Sequence, residues 1–143
     1  MRLIIDGDAC PNKQEIKELA MKHNVEMFVF IDYAHVLEDD YYQVINCEIG
    51  SDSVDMAIVK SVQENDIVIT QDYGLAGLVL SKRAIVLHVS GQMIDNSNID
   101  SLLFSRYVGA KMRKASQRTK GPAKRTDDVK IRFLEQLDNL LKR

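Results

Sequence analysis

The chain has 143 residues, 45% of them apolar, which is enough for one well-formed core and little more. No apolar run approaches the roughly 18 residues a membrane-spanning helix needs, and two cysteines, Cys10 and Cys47, are too few for a disulfide framework or a cysteine-based zinc site. The net charge of −2 conceals a division, with 8 basic against 17 acidic side chains in residues 1–110 and 11 against 4 in residues 111–143.

Seven cations and no acid fall between Lys111 and Arg125. Halves of opposite sign imply either an internal electrostatic contact or a polyanion bound over an acidic site. The opening Met-Arg-Leu-Ile-Ile-Asp reads as the entry to a strand and lacks the tripartite pattern of a signal peptide. A cytoplasmic, reduced setting is expected, with no membrane partner, and nothing in the sequence marks an oligomeric state.

In chain order, Arg2–Asp6 is a short apolar run ending in acid, as a buried strand would be. Pro11 suits the first turn of a helix, which continues through Ile16, Leu19, Ala20 and His23. Glu26–Ile31 and Tyr42–Cys47 predict two further strands around an acidic loop. Ser51 can cap a helix carrying Val54, Ala57, Ile58 and Val62. Asp66–Thr70 is the clearest buried strand, followed by a short apolar helix through Leu80 and a strand over Ala84–Val89.

Strands alternating with helices predict an α/β fold: a mostly parallel sheet of about five strands, covered on both faces. From about Asn98 a helix runs into the basic segment, and residues 117–125 read as a polar loop. Thr126 caps a last helix whose stripe Val129, Phe133, Leu137 and Leu140 requires a partner surface. Residues 1–143 are thus expected to form one domain, with 98–143 a basic helical extension packed on it.

The chemistry-bearing residues fall where strands end. In open α/β sheets ligands bind outside the carboxyl ends of the strands, where strand order reverses. Asp6 closes the first strand, in Ile4-Ile5-Asp6-Gly7-Asp8, and Asp72 follows the fourth in Thr70-Gln71-Asp72. A few carboxylates at one sheet edge suit Mg²⁺ or Mn²⁺, which take hard oxygen ligands and retain waters. Asp52 and Asp55, three apart, share one face of the intervening helix. Each acid also has a plain structural role open to it: Asp8 or Asp72 as turn or helix caps, and Asp52 as a first-turn charge favoured by the helix dipole. Thr70 stands at the edge of the site or bonds to backbone.

These motifs carry a resemblance. Ile4-Ile5-Asp6-Gly7-Asp8-Ala9-Cys10-Pro11, Gly50-Ser51-Asp52-Ser53-Val54-Asp55 and Asp66 through Ala76 resemble the YaiI/YqxD family of bacterial proteins, a domain of unknown function. The likeness extends through Asn98-Ile99-Asp100, Leu103, Arg106, Gly121-Pro122 and Phe133 to nearly the whole chain. It implies a PIN-like, Rossmann-like three-layer sandwich, the fold of metal-dependent ribonucleases and flap nucleases. In that setting Asp6 and Asp72 match the two strand-end ligands and Asp55 the acidic helix position. Asp8 is the nearest candidate for a fourth acid, ahead of Asp52 and Asp100.

The expected activity is therefore Mg²⁺- or Mn²⁺-dependent hydrolysis of phosphodiesters, with Asp6, Asp72, Asp55 and Asp8 as catalytic and metal-binding residues. Asp52, Thr70, Gln71 and Cys10 edge the site. Arg106, Lys111, Arg113, Lys114, Arg118, Lys120, Lys124 and Arg125 are the candidates for tracking a nucleic-acid backbone, RNA sooner than DNA. Only Tyr107 is near them to stack on a base. Two alternatives stand beside this reading. One is a non-catalytic RNA- or nucleotide-binding module. The other is a phosphatase-like enzyme with Asp6 as nucleophile and Asp8 as acid/base, although no Thr follows Asp8 and no Asp pair follows the last strand. The histidines His23, His35 and His88 demand no catalytic role.

Overall fold

The computed structural model describes residues 1–7, 10–32, 37–49, 53–116 and 125–142, and of residues 113–116 the backbone only. Asp8, Asp52, His35, Arg118, Lys120 and Lys124 lie outside the described residues, as do the side chains of Arg113 and Lys114.

The apolar runs become β1 (Leu3–Asp6), β2 (Met27–Asp32), β3 (Gln43–Cys47), β4 (Ile67–Ile69) and β5 (Ile85–Leu87). A short sixth strand, β6 (Met93–Ile94), pairs antiparallel with β5, and the other neighbours pair in parallel. The sheet order is β3-β2-β1-β4-β5-β6. The mostly parallel sheet of about five strands is present, with the short β6 added at its edge. The sixth has two residues, too few to show a periodicity, and it is set by the turn in which His88 N–H donates to Gln92 O at 2.9 Å.

Helices α1 (Lys13–Lys22) and α5 (Asp127–Leu141) cover one face, and α2 (Ser53–Ser61) and α3 (Tyr73–Leu80) the other. Side chains alternate along each strand, so Leu3 and Ile5 join Ile16, Ala20, Phe133 and Leu137, while Ile4 joins Val54, Ile58, Leu75 and Val79. Burial on both faces is the reason the strands read as unbroken apolar runs rather than as alternating ones. The result is the three-layer, Rossmann-like α/β arrangement that the alternation of elements predicts.

Pro11, expected in the first turn of α1, stands before it. Asn12 takes the left-handed conformation (φ 62°) that asparagine tolerates, and the helix starts at Lys13. Thr126 caps α5 as expected, its Oγ1 accepting from Val129 N–H at 3.3 Å. Phe133, Leu137, Leu140 and Leu141 of α5 are buried against the sheet and α1, each such burial contributing at most about 1.5–3 kcal/mol.

Helix α4 (Ile99–Ser116) differs. Ile99 is buried and Leu102 half-buried against the α2–α3 layer, whereas nearly every residue from Leu103 to Met112 is exposed. Among the described residues no helix is long and apolar enough to cross a membrane.

Candidate metal and phosphodiester site

Strand order reverses between β1 and β4, which are hydrogen-bonded neighbours from Leu3↔Ile67 to Ile5↔Ile69. The carboxyl ends of these two strands form the switch point at which such sheets bind ligands. Asp6 is the last residue of β1, and Thr70 directly follows β4.

Thr70 is buried, with 1% of its surface exposed, and it links the two acids. Its Oγ1 donates to Asp6 Oδ2 at 2.8 Å and accepts from Asp72 N–H at 2.9 Å. One hydroxyl has one proton to give, so Asp6 Oδ2 is fixed as the acceptor. The expectation of a backbone-bonded threonine is met through Asp72 N–H, and the same hydroxyl also reaches Asp6.

Asp72 is the N-cap of α3, its Oδ1 accepting from Gly74 N–H at 2.8 Å and Leu75 N–H at 3.1 Å. The capping role is therefore present, and it engages one of the two carboxylate oxygens. Gly7 explains how β1 can end so close to β2. A Cβ at this position would lie 2.6 Å from Val29 Cγ1, 2.7 Å from Ile31 Cγ2 and 2.8 Å from the Phe30 carbonyl oxygen.

Asp55 sits in the first turn of α2, which leaves the carboxyl end of β3 at this same sheet edge. Gln71 is exposed beside Asp72. Asp32, which sequence reading passed over, ends β2 at the edge beside β1. Its signal was available, since Phe28-Val29-Phe30-Ile31-Asp32 repeats the pattern of an apolar run closing on an acid. Among the described residues no group of three or more His, Cys, Asp or Glu side chains is gathered closely enough to hold a metal ion. The described donors are the Asp6 carboxylate, bonded by Thr70 Oγ1, and the Asp72 carboxylate, whose residue bonds the same hydroxyl through its backbone N–H. Both are hard-oxygen donors of the kind taken by an ion that keeps most of its waters.

Cys10 is buried near this edge, and burial pushes its thiol up to about 12, with the Asp6 charge adding to the rise and Lys13 and Arg125 opposing it. A thiol held protonated is neither a nucleophile nor a ready metal ligand at neutral pH. His88 follows β5, its ring 5.6 Å from that of Tyr73, the first residue of α3. His88 Nδ1 accepts from Ser90 N–H at 3.1 Å, and burial followed by the Arg125 charge holds its pKa below the usual range, so the ring is neutral. His23 pairs with Asp138, its Nε2 2.6 Å from Oδ1.

The cations divide. Arg106 and Lys111 stand exposed on α4. Arg125, by contrast, is built into the body. Its Nε donates to Asn12 Oδ1 at 3.0 Å and its Nη1 to Val89 O at 2.5 Å, with the guanidinium 5.5 Å from the Phe133 ring centroid. It joins the start of α1, the end of β5 and α5, which is a structural placement rather than a surface one.

Comparison with known proteins agrees with the motifs. The family model described as "Uncharacterized BCR, YaiI/YqxD family" matches residues 4–143. A UPF0178 protein of Clostridium kluyveri is 41% identical over 141 residues, covering 99% of this chain and 93% of its own. One from Clostridium tetani is 44% identical over 137 residues, covering 96% and 94%, and one from Clostridium perfringens is 39% identical over 143, covering 100% and 96%. No solved structure matches the chain. With the matching model spanning nearly its full length, the chain belongs to the YaiI/YqxD (UPF0178) family.

Proposed function

We propose that this protein is a Mg²⁺- or Mn²⁺-dependent phosphodiesterase acting on nucleic acid, RNA sooner than DNA, from the sheet edge at Asp6 and Asp72. The observation that carries the reading is the Asp6–Thr70–Asp72 linkage at the topological switch point. The buried Thr70 hydroxyl donates to the Asp6 carboxylate and accepts from the backbone N–H of Asp72, so two acidic residues stand at adjacent strand ends. The motif resemblance to PIN-like nucleases points the same way.

Asp6 and Asp72 would hold the ion, with Asp55 and Asp8 completing the shell directly or through waters. When bound, the ion supplies an acidified water and offsets the charge that develops on the phosphoryl group. Thr70 keeps its proton on Oγ1 toward Asp6, and the Gly74 and Leu75 amides hold Asp72 in place. Exposed Arg106 supplies phosphate contacts independent of base identity, with Arg113, Lys114, Arg118, Lys120 and Lys124 as the further candidates.

The test is cleavage of a generic single-stranded RNA with Mn²⁺, in the parent protein and in Asp6→Asn and Asp72→Asn. The expected result is Mn²⁺-dependent cleavage lost in both variants while circular dichroism shows the fold intact. Metal binding without turnover would assign the site to a non-catalytic nucleotide-binding module. Beryllofluoride trapped on Asp6 would point instead to phosphoryl transfer.

A further inference from the structure

We propose that the outward face of α4 is a self-association surface, on which a second copy of this chain packs its own α4 in antiparallel orientation. Among the described residues the helix docks on the domain only near its start. Ile99 lies under 4 Å from the spot where a Cβ on Gly77 of α3 would stand, and Leu102 packs beside it. At about 100° per residue these two lie on one side of the helix, and the stripe Asp100, Phe104, Tyr107 and Lys111 lies on the opposite side.

That stripe recurs at spacings of four, three and four, the seam along which two helices pack at a shallow angle. Leu103 and Val108 flank it. Phe104 is 66% exposed, Tyr107 59%, Leu103 38% and Val108 37%. Neighbouring large apolar side chains left in water on a projecting helix mark an interaction surface, and a helix this exposed gains little stability by itself.

The order of residues identifies the occupant. Asp100 and Lys111 bracket the two aromatic residues symmetrically, so an antiparallel copy centred between Phe104 and Tyr107 is self-complementary. Asp100 then meets Lys111 of the partner subunit and Phe104 meets Tyr107 of the partner subunit, while Leu103 lines one flank of the seam and Val108 the other. Each contact occurs twice, as a two-fold interface requires. Lys111 already lies along the stripe, its Nζ 5.5 Å from the Tyr107 ring centroid. About three turns of such a seam hide roughly 1,000 Å² in total, at the lower edge of specific interfaces, so the dimer is weak and concentration-dependent. In it Lys111 is engaged by an acid and Arg106 stays outside the seam. This inference is independent of any catalytic activity.

Sedimentation velocity over a wide range of protein concentration tests it. The expected result is a rise from the 16.2 kDa of one chain to twice that mass. Phe104→Glu should raise the dissociation constant at least about tenfold, with helicity and thermal unfolding unchanged. Asp100→Lys alone and Lys111→Asp alone should each weaken the dimer several-fold, and the two together should restore it, which fixes the antiparallel register. A single-chain mass at every concentration overturns the proposal, as does a dimer indifferent to Phe104→Glu or a double charge swap that fails to restore association. A single-chain mass combined with RNA binding lost in Phe104→Ala and Tyr107→Ala would reassign the face to base stacking, and so also overturns it.

Discussion

Thr70 Oγ1 stands 2.8 Å from Asp6 Oδ2, so the buried threonine after β4 positions the carboxylate that ends β1. Thr70→Val keeps the shape of the side chain and removes both the donor to Asp6 and the acceptor for Asp72 N–H. It should lower stability by about 1–3 kcal/mol, the cost of unpairing buried polar groups. Mn²⁺ affinity measured by calorimetry should fall about tenfold. Thr70→Ser retains the hydroxyl and should recover most of that affinity, whereas equal affinity in Thr70→Val would detach the threonine from the site.

Gly7 fixes how near β1 runs to β2 immediately after Asp6. The Phe30 carbonyl oxygen, 2.8 Å from an added Cβ, belongs to the central sheet and moves only if β2 moves. Gly7→Ala should therefore destabilise by about 2 kcal/mol or more, as overpacking against backbone does. Urea unfolding checks this, and an unchanged midpoint would mean that the strand yields to a methyl group.

Much of this arrangement was legible in the sequence because the physics behind it is local. Leu3–Asp6 and Ile67–Ile69 are buried on both faces, so they read as strands without help from neighbours, and the acid after each marks the sheet edge. Asp32 does not stand out because the apolar run of its strand ends at Ile31, one residue before the acid that closes β2. The dual role of Asp72 was open from the start, since a carboxylate that precedes a helix caps it whether or not it has another task. The separation of Arg125 from its neighbours was not legible. Its partners Asn12 and Val89 are distant in sequence, and a run of cations looks uniform until the fold selects one.

That selection has an observable consequence. Arg125→Ala removes bonds to Asn12 and Val89 and the contact with Phe133, and it should cost about 1–3 kcal/mol of stability. Arg106→Ala, at an exposed helix position, should change stability by under about 0.5 kcal/mol. It should instead weaken RNA binding across sequences and reduce the slope of log affinity against log salt by about 0.7, one phosphate contact on a single strand. Salt-titrated fluorescence anisotropy separates the two residues. An Arg125→Ala variant with normal stability and a reduced salt slope would return that residue to the surface set.

The contact between α1 and α5 should be sensitive to acid. Asp138 has His23 Nε2 at 2.6 Å and Lys142 and Lys22 at 3.4 and 3.5 Å. The His23 hydrogen bond, followed by Lys142 and Lys22, holds its carboxyl at about 2, below the ordinary 3.8. A carboxylate with a depressed folded-state pKa binds protons more readily when unfolded, so its stabilising contribution is present above about pH 4 and is lost as pH falls toward 2. Asp138→Asn should therefore lower the urea midpoint at pH 7, and its difference from the parent should shrink steadily between pH 4 and pH 2. The carboxylate is solvent-accessible, so the shift should be modest and should weaken in high salt. A difference that stays constant across this range would show that the asparagine acts through packing rather than through charge.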